Sequence, residues 1–188
     1  MWHTVAPPRP RDTASRLLRR GDISLRAFAL ADAPRVAALV GDHEVSRWTS
    51  NIPHPYSVGD AETWIRSEPS SFHQRAFAVD LRGELVACVS FWPEDSGGVE
   101  IGYWVGKAYW GHSIATDAVR AMMHSTLFPQ QTRVHARIIA TNTASQRVLE
   151  KCGFERRGTG TIEVKGQKHP SRVFVCEPRG RARRDGSI

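Results

Sequence analysis

At 188 residues, 40% of them apolar, the chain is long enough for one medium domain with its own core and too short for two ordinary ones. No apolar run approaches the roughly 18 residues of a membrane span, and no apolar stretch follows the first charges, which argues against a membrane protein and a secretory signal. The formal charge of +7 sits at the ends: residues 1–20 carry five Arg and one Asp, residues 179–188 four Arg and one Asp, while 21–178 balance 17 basic against 17 acidic side chains. The expected organisation is therefore a flexible basic tail (1–20), a domain (21–178) and a second basic tail (179–188). The tails solubilise the chain or make weak RNA or ribosome contact. Without interleaved aromatics they carry no specific nucleic-acid readout. Cys88, Cys152 and Cys176 are odd in number, far apart and free of metal spacing. They read as reduced, packed thiols of a cytoplasmic protein.

In chain order, Ile23–Phe28 alternates as a half-buried strand. Asp32 offers an N-cap, Pro34 sits in the first turn, and Ala33, Val36, Ala37 and Val40 follow at helical spacing until Gly41. An irregular stretch from Trp48 to Tyr56 leads to a second helix near Asp60, with Ala61, Trp64 and Ile65 on one face. Ala76–Leu81 and Leu85–Trp92 flank the turn Arg82-Gly83-Glu84 as a hairpin, and Val99–Val105 is a third strand. A helix is expected from about Ser113 to Leu127, with Ile114, Ala118, Ala121, Met122 and Ser125 buried. Val134–Ala140 is a strand, and Asn142 caps a short helix that closes at Gly153. Strands at about 155–164 and 172–177 join around Gly166. The order β-α-α-β-β-β-α-β-α-β-β implies one α/β (α+β) domain, a mixed and mostly antiparallel sheet of about seven strands with about four helices packed on it.

Two segments carry chemistry. The strand Glu100-Ile101-Gly102-Tyr103-Trp104-Val105 turns through Tyr109-Trp110-Gly111-His112-Ser113-Ile114-Ala115 into a helix. The first turn of that helix has N–H groups without intrahelical partners and partial positive charge, and small residues let a diphosphate approach it. An ordinary helix start has the same composition. In the second segment, Asn142 to Phe154, helical spacing puts the Ser145 hydroxyl on the inward stripe with Leu149 and Cys152. A back-bond to the helix or a capping box would also account for it.

Together these segments resemble the GCN5-related N-acetyltransferase superfamily, in particular its ribosomal-protein N-terminal acetyltransferase (RimJ/RimL-type) branch. The likeness covers about residues 21–178. It rests on Leu25-Arg26-Ala27-Phe28 with Asp32-Ala33, Gly83-Glu84-Leu85-Val86, Glu100–Val105, Tyr109-Trp110-Gly111, Ala115-Thr116 with Ala118-Val119, and Asn142-x-x-Ser145-x-x-Val148-Leu149-Glu150-Lys151-x-Gly153-Phe154. The family loop pattern, Arg/Gln-x-x-Gly-x-Gly/Ala, falls here on Trp110, Ser113 and Ala115. Serine replaces glycine at 113, and His112 stands where the branch has Arg or Lys.

The resemblance implies an acetyl-CoA-dependent N-acetyltransferase. Its donor site would comprise Trp104, Val105, Trp110, Gly111, His112, Ser113, Ile114, Ala115, Thr116 and Asn142. Glu100 would take the amine's proton, or else serve as a structural carboxylate paired across the sheet. Ser145 would hydrogen-bond the departing thiolate. The acceptor, a protein N-terminus or a small amine, would meet Trp48, Asn51, Ile52, Pro53, His54, Tyr56 and Trp64. A non-catalytic acyl-CoA-binding or ribosome-associated module is an alternative, as is an aminoglycoside or polyamine acetyltransferase using Asp42, Glu44, Asp60, Glu62 and Glu68. No metal ligand spacing appears, and the chain is expected to be a monomer or homodimer.

Overall fold

The computed structural model describes residues 18–67, 75–94 and 97–178. Most of both arginine-rich tails, 1–17 and 179–188, lies outside the described residues, as does Glu68. The strands are β1 (Leu18–Arg20), β2 (Ile23–Arg26), β3 (Arg75–Leu81), β4 (Glu84–Pro93), β5 (Val99–Val105), β6 (Val134–Ile139), β7 (Glu155–Val164) and β8 (Gln167–Cys176). The helices are α1 (Ala33–Val40), α2 (His43–Ser46), α3 (Val58–Ser67), α4 (Ile114–Met123) and α5 (Thr143–Lys151). The strands form one sheet in the order β1-β2-β3-β4-β5-β6-β8-β7, antiparallel throughout except for the parallel pair β5/β6.

The mixed, largely antiparallel architecture is the one expected, with corrections at three places. Leu18–Arg20, read as part of the tail, pairs with β2 as an eighth, edge strand. The single turn α2 adds a fifth helix, capped by the Asp42 side chain, which accepts from the Glu44 N–H. The helix expected to reach Leu127 ends at Met123. Beyond it the Ser125 hydroxyl accepts from the Leu127 N–H, and the chain turns to bury Phe128.

Strand alternation gives the sheet two apolar faces. One buries Leu25, Val79, Phe91, Ile101 and Phe174 beneath the α4 stripe Ile114, Ala118, Val119 and Met122. Phe91 lies edge-on to Phe128, 5.1 Å between centroids. The other face receives α1 and α3, through Val36, Ala37, Val40 and Ala61 on Ala78 and Leu85. Val79 pairs with Ala87 and Asp80 with Leu85, so Val86 is an extra residue in β4. Its carbonyl accepts the Gly106 N–H at 2.9 Å and so helps place the chain leaving β5. No helix among the described residues is long and apolar enough to cross a membrane.

A part-buried ion-pair triad ties β2, β3 and the start of α1 together. The Arg26 guanidinium donates to both Asp32 oxygens at 2.6 and 2.8 Å and to Asp80 Oδ2 at 2.8 Å. Burial would raise the Asp32 pKa, but the bonds from Arg26 and the Ala29 N–H outweigh it and hold the carboxyl below its usual range. A carboxyl so lowered adds stability above its unfolded pKa of about 3.9 and loses it as pH falls through the folded value. Arg26→Met leaves two carboxylates without their cation and is expected to cost about 1–3 kcal/mol at neutral pH, between the values for exposed and fully buried pairs. Urea unfolding should show that gap narrowing as pH drops below about 4. A pH-independent difference would place the effect of Arg26 in packing alone.

Candidate active site

The site follows from how β5 and β6 part. β5 pairs with β4 at seven consecutive positions, and β6 pairs with β8 at six. Between themselves they register only at Val99 with Val134 and Glu100 with His135. Beyond Glu100 they diverge, leaving a fork lined on one side by Gly102–Val105 and on the other by Arg137–Ile139. The Val99 N–H donates to Arg133 O, on the β6 side. Because backbone groups of alternate strand residues point to the same neighbour, Ile101, Tyr103 and Val105 present theirs to the fork. The Val105 carbonyl conforms: it accepts from the Trp110 indole Nε1 at 2.8 Å. Trp104, expected in the donor site, directs its backbone toward Cys88 of β4.

The open end of the fork meets the start of α4. Gly111 and Ser113 both have positive φ, 82° and 61°, on either side of His112. Alternation of this kind turns successive N–H groups inward as an anion-binding nest. Ser113 is the N-cap residue but makes no side-chain cap bond, so the first-turn N–H groups of α4 are not taken by it. Trp110, Gly111, Ser113, Ile114, Ala115 and Thr116 all line the cleft; the exposed His112 does not. On α5, Arg147 and Lys151 also line it. Lys151 belongs to the segment that carries the resemblance, but neither was read as a site residue, because the sequence does not show that their side of α5 meets the cleft.

Asn142 and Ser145 close the site at the β6 side. The Asn142 carboxamide oxygen accepts the Ser145 N–H at 3.0 Å and caps α5. Ser145 Oγ lies 2.7 Å from the Tyr103 hydroxyl, which also donates to the Ser145 carbonyl at 3.1 Å. Burial pushes the Tyr103 phenol well above its usual range, so it remains a proton carrier at any working pH. Tyr103 was missed in the sequence because its partner is forty-two residues away. Burial likewise pushes the Cys152 thiol up to about 11, consistent with a packed, unreactive thiol.

Glu100 is 5% exposed and accepts from Arg137 through both oxygens, at 3.0 and 2.5 Å. It is the structural carboxylate paired across the sheet that was one of the two expectations, and it also lines the cleft. The Arg137 guanidinium is pushed further above its usual range by this bond. Trp48, Asn51, Ile52, Pro53, Tyr56 and Trp64 line the same cleft, which holds about 1450 Å³ and runs from the α4 start past Glu100 to these residues. His54 is elsewhere: it shares a small neighbouring hollow with Lys165 and stacks edge-on with His43, centroids 5.2 Å apart.

A forked sheet, a nest at a helix start and a hydroxyl pair at the fork define a transferase that takes an extended, phosphorylated donor. Residues 22–155 match the model of the acetyltransferase (GNAT) domain, and the chain belongs to that family. It is an N-acetyltransferase, with acetyl-CoA as donor. It is 24% identical over 144 residues to the uncharacterised N-acetyltransferase p20 of Bacillus licheniformis, covering 72% of this chain and 80% of that one. The fold is similar to that of the microcin C7 self-immunity acetyltransferase MccE, solved with acetyl-CoA and AMP (TM-score 0.74, 18% identity, 84% and 93% of the two chains). It is similar also to Mycobacterium smegmatis RimJ, solved with a CoA disulfide (TM-score 0.71, 21% identity, 82% and 81%).

Ser113 stands in the left-handed region, where a side chain costs about 1 kcal/mol relative to glycine. Ser113→Gly is expected to raise stability by up to about 1 kcal/mol and to tighten acetyl-CoA binding. Thermal unfolding and calorimetric titration read the two effects separately. Weaker binding in the variant would make the hydroxyl a phosphate ligand.

Proposed function

We propose that the chain moves the acetyl group of acetyl-CoA to a primary amine, the α-amine of a peptide or of a small molecule, within the fork between β5 and β6. The observation that carries this is the continuity of one cleft from the nest at α4, past Tyr103–Ser145 and Glu100, to the aromatic residues of the 48–64 segment. Donor and acceptor ends are thus joined across the stretch where strand backbone is left open between β5 and β6. The fold likeness to RimJ and the sequence likeness to p20 support an amine acceptor of this kind.

In this reading the nest, with Arg147 and Lys151, holds the phosphates. The Tyr103 and Val105 N–H groups face the acetyl carbonyl and take the negative charge that develops on its oxygen. The amine nitrogen forms the new C–N bond as the C–S bond breaks. An ionised carboxylate offers about four acceptor positions, of which Arg137 takes two. Glu100 therefore still accepts the amine's proton, directly or through water. An α-amine has an unperturbed pKa near 8, so this transfer is not demanding. At the other side either hydroxyl of the Tyr103–Ser145 pair can donate; when the Tyr103 proton goes to Ser145 Oγ rather than to the Ser145 carbonyl, the serine proton is free to point at the leaving sulfur.

Acetyl-CoA titration followed by a thiol-release screen over peptides and amines tests the reaction. Ser145→Ala is expected to lower kcat by about a hundredfold while leaving acetyl-CoA affinity within about twofold. Glu100→Gln should lower the rate at neutral pH more than it lowers affinity. Unchanged turnover in either variant would remove that residue from the mechanism.

A further inference from the structure

The acceptor end of the cleft has a composition that the reaction itself does not demand. Trp48, Trp64, Trp92, Trp104 and Tyr56 all line it, and each is only half-buried. Trp64, Trp104, Tyr56 and Ile52 pack on one apolar cluster, that of α1 and α3, so they form one continuous wall. Trp92 supplies the floor. Its ring lies so close over Gly102 that a Cβ there would meet indole carbons at 3.0 and 3.1 Å. Gly102 is thus the residue that leaves room for the indole over β5 between Glu100 and Trp104. From the far side Ile162 of β7 joins the lining.

The charged groups at this end are engaged. Glu100 accepts from Arg137. The Asp60 carboxylate accepts from the Ser57 N–H at 2.8 Å and its hydroxyl at 2.6 Å. Glu44 pairs with Arg47 at 3.3 Å, and Glu62, once a candidate for an acidic face, pairs with Arg66 at 3.1 Å. A polycation needs several carboxylates free to meet its charges, and Arg75 and Arg137 also line the cleft. The arrangement suits one amine and no more.

We infer that the acceptor is a monoamine whose nitrogen is carried on a bulky apolar or aromatic body: an aromatic amine, or a peptide beginning with an aromatic or large aliphatic residue. This rests on the amine-acceptor reading above and deepens it. Half-exposed indoles gain most by covering apolar surface, which an aromatic or large aliphatic body supplies. Enclosure by the same rings disfavours the charged amine and so favours loss of its proton beside Glu100. Selection and activation thus come from the same walls.

The test uses the full chain, acetyl-CoA and a panel of acceptors followed by thiol release: phenethylamine, peptides differing only in a first residue of Phe, Leu, Ser or Ala, and spermidine. The expected result is a kcat/KM for phenethylamine and the Phe and Leu peptides about tenfold or more above that for the Ser and Ala peptides and for spermidine. Trp92→Leu should shrink that ratio by lowering the apolar acceptors' kcat/KM while leaving acetyl-CoA affinity in place. Equal or higher kcat/KM for Ser, Ala or spermidine overturns the apolar-acceptor inference and leaves the amine reading standing. Binding of acetyl-CoA without turnover of any amine overturns both. The panel needs no variant, so a misfolded Trp92→Leu does not weaken it.

Discussion

Everything in this molecule that bears on function depends on β5 and β6 holding each other at just two register positions. Each strand has committed its outer edge to a full antiparallel partner, and β4 and β8 lead them apart. In a sheet interior, unpaired N–H and C=O groups are costly unless something takes them up. The fork therefore creates a demand for polar ligands on its inner edges. One such group, the Val105 carbonyl, is answered internally by the Trp110 indole. The remainder of the β5 edge faces the cleft, where an extended amide-bearing donor arm offers the complementary groups.

A fork must also be prevented from opening further. The Glu100–Arg137 pair sits at its crotch: Glu100 occupies the last registered position, and Arg137 lies two residues beyond that position's partner on β6. The pair continues the strand-to-strand tie by side chains where the backbone ladder stops. His135, the register partner of Glu100, adds a contact to Glu94 at 2.7 Å. Four charged or titratable side chains are thereby gathered at the point where the sheet divides. A carboxylate fixed in this way keeps its orientation without help from substrate.

Much of this was legible in the sequence, for identifiable reasons. Alternation in Ile23–Phe28 and Val99–Val105 and the helical stripe Ile114-Ala118-Ala121-Met122-Ser125 are local patterns, and the elements formed there, though β2 stops at Arg26 and α4 at Met123. The cap at Asn142 and the positive φ at Gly153 are likewise decided within a few residues. What escaped was non-local. Tyr103 faces Ser145, Arg137 clasps Glu100, and Trp92 covers Gly102 only because three separate strands and a helix come together. Leu18–Arg20 looked like part of a charged tail because Arg19 and Arg20 follow other arginines; its pairing depends on β2 presenting a free edge. His54 erred in the other direction. Its segment does line the cleft, but the chain places that ring toward the β7–β8 hairpin.

The serine at position 113 draws these strands of argument together. The backbone there takes a left-handed conformation that glycine adopts freely and serine does not, so the loop keeps the nest geometry against the preference of its own residue. Strain of this size persists only where surrounding contacts fix the conformation. Ile114, the next residue, is buried under the sheet, and Trp110, three residues earlier, is tied to the Val105 carbonyl. The loop is thus pinned at both ends, once to the core and once to the fork. That double attachment explains why the anion-binding geometry survives the loss of glycine. It also makes Trp110 the link that sets the distance between the phosphate end of the cleft and the reacting end.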